Sequence, residues 1–225
     1  FSCVFHTDQL ASLIAEPPQR EGAYFVSTST CDPLRMPEIA EAATRKGWRF
    51  LEVPISGTSA QLTEGDAVLL VAGDPADAQA LAPVLSAVGR APHYVGPVGN
   101  GNRAKLGINL VLGLNRAALA EGLVFAERIG LEAGAFLALL QDSAAASAVM
   151  KTKGPKMVAR DFSAQGRIEQ CSKDVDLILS TAAGEGQVLP LARAYSGMLR
   201  DCFEHGEAKL DNSAVFLAVE RARGS

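Results

Sequence analysis

A lysine and an asparagine lie one helical turn apart, just after the glycine-rich turn at residues 96–101. Lys105 and Asn109 are four residues apart, so they share one face of the predicted helix. The helix continues through the apolar residues 110–114, which are unlike an ordinary solvated surface. A lysine with apolar surroundings loses its proton more easily, which suits a general acid/base. A lysine in the first turn of a helix also commonly extends to water without any chemical role, and spacing alone leaves both interpretations open.

The same segment fits the glycine fingerprint of dinucleotide-binding folds, as Gly99-x-Gly101-x-x-Ala104 after the predicted strand 91–95. That fingerprint requires a second parallel strand after its helix, with an acidic residue about 20 residues further on. Glu121 has roughly this spacing, but its surroundings predict more helix. The sequence therefore argues against a pyrophosphate-binding loop here.

Composition excludes several classes of protein. The 225 residues are 48% hydrophobic and 20% charged, enough for a sizeable core in one large or two modest domains. The net charge of −4, without clusters of Lys and Arg, argues against nucleic acids and anionic membranes and favours small-molecule partners. Apolar runs such as 106–115 end at Lys105 and Arg116, short of the roughly 20 residues of a membrane-spanning helix. We therefore expect no membrane span.

Cysteine and histidine usage predicts neither disulfides nor a metal site. The four cysteines show no short paired spacing, and the three histidines form no metal-ligand pattern. No signal peptide is visible, so we expect free thiols in the cytoplasm or an organelle matrix.

The pattern of elements changes near residue 100. Before it, strands predicted at 2–5, 23–26, 49–53, 67–72 and 91–95 alternate with helices at 8–15, 34–46 and 76–88. After it, glycines and prolines separate helical segments, the first of which is a long helix over 103–129. The sequence predicts an α/β domain over 1–102 and an all-α domain over 103–225. Because a doubly wound nucleotide domain begins with a strand, glycine turn and helix of about 60 residues, we expect such a segment before Phe1.

Four segments together carry a family resemblance: 27–33 (STSTCDP), 52–58 (EVPISGT), Gly99-x-Gly101-x-x-x-Lys105-x-x-x-Asn109, and Lys173-Asp174. With 153–157 (KGPKM) and 212–216 (NSAVF), their order and spacing resemble those of the β-hydroxyacid dehydrogenase family. This family includes 3-hydroxyisobutyrate dehydrogenase and the glyoxylate/succinic semialdehyde reductases. The resemblance implies a partial Rossmann-like nucleotide-binding domain, followed by an all-α domain joined to it by a long helix.

The resemblance also implies hydride transfer between a nicotinamide cofactor and a small 3-hydroxy acid or the matching aldehyde acid. Lys105 matches the lysine that exchanges a proton with the substrate oxygen, and Asn109 matches an asparagine that hydrogen-bonds near that oxygen. A carbonyl that gains hydride becomes an alkoxide unless a positioned donor supplies a proton, so the chemistry agrees. Ser56, Gly57 and Thr58 match a substrate-binding turn, where hydroxyl and N–H groups hold a carboxylate.

Four residues match contacts to the cofactor: Thr30 beside the nicotinamide, Lys173, and His6 with Thr7 in a loop touching the dinucleotide. The features that separate NAD from NADP are absent from the 225 residues, so either cofactor is expected. Without the resemblance, Lys173 would be interpreted as a surface lysine paired with a neighbouring aspartate, and 56–58 as a strand-terminal turn.

Substrate identity stays open because the alanine-rich stretch 143–148 falls where the family's pocket is lined. Thr58 resembles the choice of the glyoxylate-type reductases and favours a small aldehyde acid, such as glyoxylate or succinic semialdehyde, over 3-hydroxyisobutyrate. Two alternatives are a non-catalytic fragment or interaction protein of the same fold, and an imine reductase. Lys105 argues against both.

The long helix also predicts assembly. Its apolar residues cover most of its circumference, which predicts burial on several sides. We expect a homodimer or homotetramer assembled mainly through the helical half.

Overall fold

The computed structural model describes residues 1–16, 18 and 22–222, which divide into two compact units. The first unit extends to Ile108 and the second begins at Asn109, within helix α5 (Asn100–Arg128). The domain boundary predicted at 102/103 lies in the first turn of this same helix.

The first unit is built on a five-stranded mixed sheet. Its strands are β1 (Tyr24–Ser27), β2 (Arg49–Glu52), β3 (Ile55–Ser56), β4 (Val68–Gly73) and β5 (Arg90–Gly96). β1 pairs parallel with β2. Along one edge of β4, β2 and β3 each pair antiparallel with a different part of that strand, and β5 pairs parallel with its other edge. The continuous apolar run of β4 is typical of a strand buried on both faces. The prediction of a Rossmann-like α/β domain is confirmed.

Helices cover both faces of this sheet. They are α1 (Thr7–Ile14), α2 (Met36–Arg45) and α4 (Pro75–Val88). A further short helix, α3 (Ser59–Thr63), follows β3 and has no buried residue. Alternate strand residues face opposite sides of the sheet, so Phe50 and Leu51 of β2 belong to different clusters. Phe50 packs with Leu10 of α1 and Met36 of α2, whereas Leu51 packs with Leu85 of α4.

Two predicted features of this unit differ from the structure. Residues 2–5 do not form a strand, since only Ser2 makes a bridge, to Ser27. The chain leaves the sheet at once because Gln9 Oε1 accepts the N–H groups of Phe5 and His6, which begins α1. The short helix α3 was missed, although Thr58-x-x-Gln61 is a capping-box pattern that could have indicated it.

The second unit is helical, as predicted. It contains the rest of α5, α6 (Ala133–Asp142), α7 (Ala148–Ala159), α8 (Ile168–Gly184), α9 (Pro190–Glu204), a 3₁₀ turn (Asn212–Ala214) and α10 (Val215–Arg221). No strand occurs in the described part of this unit, where Arg167 and Asp211 form an isolated bridge. Gly113 lets α5 approach α9 closely, because a Cβ there would lie 2.7 Å from Tyr195 Cε1.

A buried ion pair joins two sequence motifs of this unit. Lys153 Nζ lies 2.9 Å from both carboxylate oxygens of Asp211, and the two side chains are 5% and 0% exposed. Lys153 begins the motif 153–157, and Asp211 directly precedes 212–216. Burial opposes ionisation of Asp211, but hydrogen bonds from Lys153, Ser213 and Gln165 outweigh it and lower its pKa to about 2.

Helix α5 is not buried on all sides by its own chain, so the burial on several sides that its sequence predicts would require further subunits. Leu119 and Leu123 are 1% and 0% exposed, whereas Val111 and Phe125 are 59% and 64% exposed. Only one side of the helix packs into the core of the second unit, which leaves an apolar face uncovered. By length and composition α5 also meets the criteria for a membrane-crossing helix. Core helices of soluble proteins meet the same criteria.

Candidate functional site

Lys105 lies buried near the beginning of α5 and is 8% exposed. The preceding turn uses Gly96 and Gly99, whose φ angles of 108° and 96° favour glycine. The next residue, Leu106, is also buried and is 5% exposed. The predicted lysine therefore lies in the protein interior, as its apolar sequence context suggested.

The first turn of α5 binds a carboxylate from the same chain. Glu52, which ends β2, is fully buried and accepts N–H groups from Gly99 at 2.5 Å and from the Asn102 backbone at 2.6 Å. Asn102 Nδ2 donates to the same Glu52 oxygen at 2.7 Å. Burial raises the pKa of the Glu52 carboxyl, and these N–H donors oppose the rise.

This contact explains the fingerprint-like glycines of the turn. A Cβ on Gly101 would lie 2.9 Å from Glu52 Cδ, so glycine is needed for the carboxylate to approach the helix. The Gly99-x-Gly101 spacing therefore serves an internal carboxylate, and the helix N-terminus that could have bound pyrophosphate is occupied by Glu52. This agrees with the sequence argument against a pyrophosphate loop.

The turn at residues 56–58 connects β3 to α3. Ser56, which ends β3, is half-buried, and Gly57 after it is exposed. One side of Gly57 nevertheless packs closely, since a Cβ there would lie 3.1 Å from Ala67 Cβ. The Thr58 hydroxyl accepts an N–H from Gln61 at 3.2 Å, and Thr58 N–H donates to Gln61 Oε1 at 2.9 Å. The hydroxyl and the N–H of Thr58 are therefore both engaged in capping α3, which leaves the Ser56 hydroxyl and the Gly57 N–H as better-placed carboxylate donors.

The structure brings the N-terminal cofactor candidates together. Thr7 Oγ1, at the start of α1, accepts the N–H of Asp32 at 3.0 Å, and Ser29 Oγ accepts the N–H of Val4 at 2.7 Å. The loop carrying exposed His6 thus lies against the loop carrying Thr30, beyond the carboxyl end of β1. Ligands of open α/β sheets bind beyond the carboxyl ends of strands, so hydroxyl, imidazole and backbone groups here fit a dinucleotide.

Asn109 and Lys173, in the second unit, share an aspartate. Asn109 Nδ2 donates to Asp174 Oδ2 at 2.7 Å, and Lys173 Nζ lies 3.0 Å from Asp174 Oδ1. The ion pair is the one that the non-functional interpretation of Lys173 expected. The sequence identified Asp174 as part of a motif and as a possible partner of Lys173, but not as an acceptor that orients Asn109. Its adjacency to Lys173 and the match of that pair to a family motif were the available signals.

Two models of known protein families together match most of the chain. Residues 1–96 match the family model described as the NAD binding domain of 6-phosphogluconate dehydrogenase. Residues 99–219 match the one described as NAD-binding of NADP-dependent 3-hydroxyisobutyrate dehydrogenase. Both families are NAD(P)-binding dehydrogenases. The chain belongs to the β-hydroxyacid dehydrogenase family.

Individual relatives differ in what their names describe. The chain is 33% identical to glyoxylate/succinic semialdehyde reductase 1 of Arabidopsis thaliana over 203 residues, which are 90% of this chain and 70% of the relative. The crystal structure of 3-hydroxyisobutyrate dehydrogenase from Salmonella typhimurium matches with a TM-score of 0.89 at 25% identity, covering 96% of this chain and 77% of that one. The cytokine-like nuclear factor N-PAC of Aedes aegypti is 31% identical over 87% of this chain, which spans 35% of that protein.

Proposed function

We propose that the protein transfers hydride between NAD or NADP and a small 3-hydroxy acid or the matching aldehyde acid, with Lys105 as general acid/base. The candidate substrates are glyoxylate, succinic semialdehyde and 3-hydroxyisobutyrate, the compounds named for the relatives. Thr58 favours the aldehyde acids. The burial of a lysine at the matched position of α5 carries the proposal.

The residues divide the chemistry among them. When bound, the nicotinamide cofactor supplies or accepts the hydride. In the reducing direction Lys105 gives a proton to the carbonyl oxygen, so the product leaves as an alcohol and the lysine is reprotonated from water. Asn109, oriented by Asp174, donates a hydrogen bond near that oxygen. Ser56 Oγ and the Gly57 N–H hold the substrate carboxylate.

The proposed cofactor contacts are His6, Thr7, Thr30 and Lys173, through hydroxyl, imidazole and ammonium groups. These groups suit phosphate, ribose and amide oxygens of either NAD or NADP. Since Asp174 pairs with Lys173 and accepts from Asn109, it also limits where the Lys173 ammonium lies.

Substitution of the lysine in the full-length protein tests the proposal. Lys105→Ala should lower kcat by at least about tenfold and leave the Kd for NAD(P)H nearly unchanged, because the lysine acts on the proton; general acid/base catalysis typically contributes about 10²–10⁴-fold. Arg103→Ala, on an exposed position of the same helix, is the matched control and should retain turnover. A Lys105→Ala variant with kcat close to that of the wild type contradicts the assignment.

A second candidate is a binding role without turnover, which the match to a nuclear factor favours. This binding role predicts a different result in the same assay. The wild type would bind NAD(P)H, seen as a change in nicotinamide fluorescence, yet reduce none of the candidate aldehyde acids, and Lys105→Ala would change neither result. An imine reductase would instead reduce a cyclic imine in the same assay.

A further inference from the structure

In the described part of the chain, every hydrogen-bond partner of the Glu52 carboxylate is a donor. Gly99 N–H, Asn102 N–H and Asn102 Nδ2 all donate to it, at 2.5 to 2.7 Å. Such a set suits the ionised carboxylate, which accepts and does not donate. The position at a helix N-terminus stabilises the same negative charge.

The carboxylate lies on the turn of α5 that Lys105 covers. Helical side chains lean toward the N-terminus, so a residue covers the turn that precedes its own Cα. For Lys105 this is the turn at Gly101 and Asn102, four and three residues earlier. Glu52 packs against Gly101 where a side chain would otherwise stand, since the missing Cβ would be 2.9 Å from Glu52 Cδ. Glu52 therefore fixes the backbone on which the lysine rests.

The same network reaches the loop of the proposed cofactor contact. Asn102 donates to Glu52 through Nδ2 and accepts the N–H of Cys31 through Oδ1, at 2.7 Å in each case. Cys31 directly follows Thr30 and is fully buried, as are Glu52 and Asn102. One buried side-chain pair thus ties the beginning of α5 to the loop at Thr30.

We propose that Glu52 is a positioning residue, which holds the first turn of α5 and, through Asn102, the Thr30–Cys31 loop, so that Lys105 and the nicotinamide-contacting loop keep one relative arrangement. This inference rests on the proposed function. Glu52 acts through Asn102 and the backbone of α5, and it touches neither substrate nor cofactor.

Glu52→Gln tests the inference with little change of shape. The amide keeps one oxygen for Asn102 but sets an NH₂ group against the Gly99 N–H, so the turn loses an acceptor. We expect kcat to fall at least about tenfold, since small displacements of catalytic groups cost up to about 10²-fold. KM for the acid substrate should stay within about threefold, because the turn at 56–58 is held separately by β3–β4 pairing and the α3 cap.

Glu132→Gln is the matched control. Glu132 also caps a helix N-terminus through both carboxylate oxygens, to Gly134 and Ala135 at the start of α6. It should leave kcat and KM unchanged. A second variant, Glu52→Gln with Asn102→Asp, restores a donor facing an acceptor with the same total charge, and should recover a substantial part of the lost kcat.

A readout without turnover separates this inference from the proposed function. Hydrogen exchange of the Cys31, Gly99 and Asn102 amides should accelerate in Glu52→Gln, and exchange of the Cys31 and Gly99 amides should slow again in the double variant. If the wild type turns over no candidate substrate, the proposed function fails and the amide exchange alone decides the positioning role. Unchanged exchange at these three amides, or a normal kcat in a less stable Glu52→Gln protein, overturns the inference.

Discussion

At the residue scale, the turn at 56–58 leaves little room for a side chain at Gly57. Gly57 has a φ of 156°, and a Cβ there would be 3.1 Å from Ala67 Cβ and 3.3 Å from Ala67 Cα. Gly57→Val should displace the turn and raise KM for acid substrates about tenfold or more, a loss of about 1.4 kcal/mol in binding. Steady-state kinetics with circular dichroism to check folding measures this effect.

A glycine with open space around it provides the control. Gly184 lies at the end of α8, and a Cβ added there would have nothing within 4 Å, so Gly184→Ala should leave KM unchanged. An unaltered KM in folded Gly57→Val would move the substrate carboxylate to another site.

Sequence spacing was sufficient to predict that residues close together in the chain share a helix face. It was insufficient to predict contacts between residues far apart in the chain. Lys105 and Asn109 follow from helical periodicity within one segment. Glu52 contacts residues 47 and 50 positions away, and nothing in a strand-terminal glutamate indicates which helix it will cap. Asp174 is 65 positions from Asn109, so its role as an acceptor also required the fold.

At the element scale, the buried pair Lys153–Asp211 fixes α7 against the chain before α10. Asp211 has a folded pKa of about 2, below its ordinary value of 3.8, because hydrogen bonds from Lys153 and Ser213 outweigh burial. A carboxyl with a lowered folded pKa stabilises the protein above its unfolded pKa and loses this contribution as pH falls through its folded pKa. The contribution of Asp211, about 2 kcal/mol, should therefore disappear between about pH 4 and pH 2.

Asp211→Asn should lower the free energy of unfolding by about 3–5 kcal/mol near neutral pH, since it leaves the Lys153 ammonium buried without its counterion. Urea unfolding of both proteins from pH 6 to pH 2 should show this difference narrowing below pH 4. Glu220→Gln breaks the more exposed pair with Arg160 and should cost at most about 1 kcal/mol. A difference between wild type and Asp211→Asn that is independent of pH would show that Asp211 does not titrate as described.

Element prediction succeeded where periodicity was long and failed where single hydrogen bonds decide. The long helix α5 and the strand β4 have extended, unambiguous patterns. Residues 2–5 have a strand pattern but only one bridge, because the Val4 N–H donates to the Ser29 side chain and the Phe5 and His6 N–H groups donate to Gln9. Helix α3 has five residues, too short for any periodic signal.

At the scale of the whole molecule, the uncovered apolar face of α5 bears on assembly. Val111 and Phe125 of α5, and Ile129 directly after it, are each more than half exposed. We expect the full-length protein to form a homodimer or homotetramer through the helical half, with this face in the contact. Light scattering at micromolar concentration gives the mass.

Charge on that face should weaken the assembly. Phe125→Lys should shift the measured mass toward the monomer, whereas Leu34→Lys, at an exposed apolar position of the first unit, should not. If the wild type itself has the mass of one chain, the helices of a single subunit suffice and the prediction is wrong.

The Glu52 carboxylate at the beginning of α5 limits what can be inferred from a glycine fingerprint. Glycines with this spacing at the beginning of a helix indicate that an anion approaches the backbone closely. They do not indicate whether the anion belongs to a ligand or to the protein itself. Here the polypeptide supplies its own, from a strand nearly fifty residues upstream. A surrogate for a nucleotide phosphate is thus encoded within the chain, and comparable motifs without a following strand call for a search for an internal acid before a cofactor is assigned.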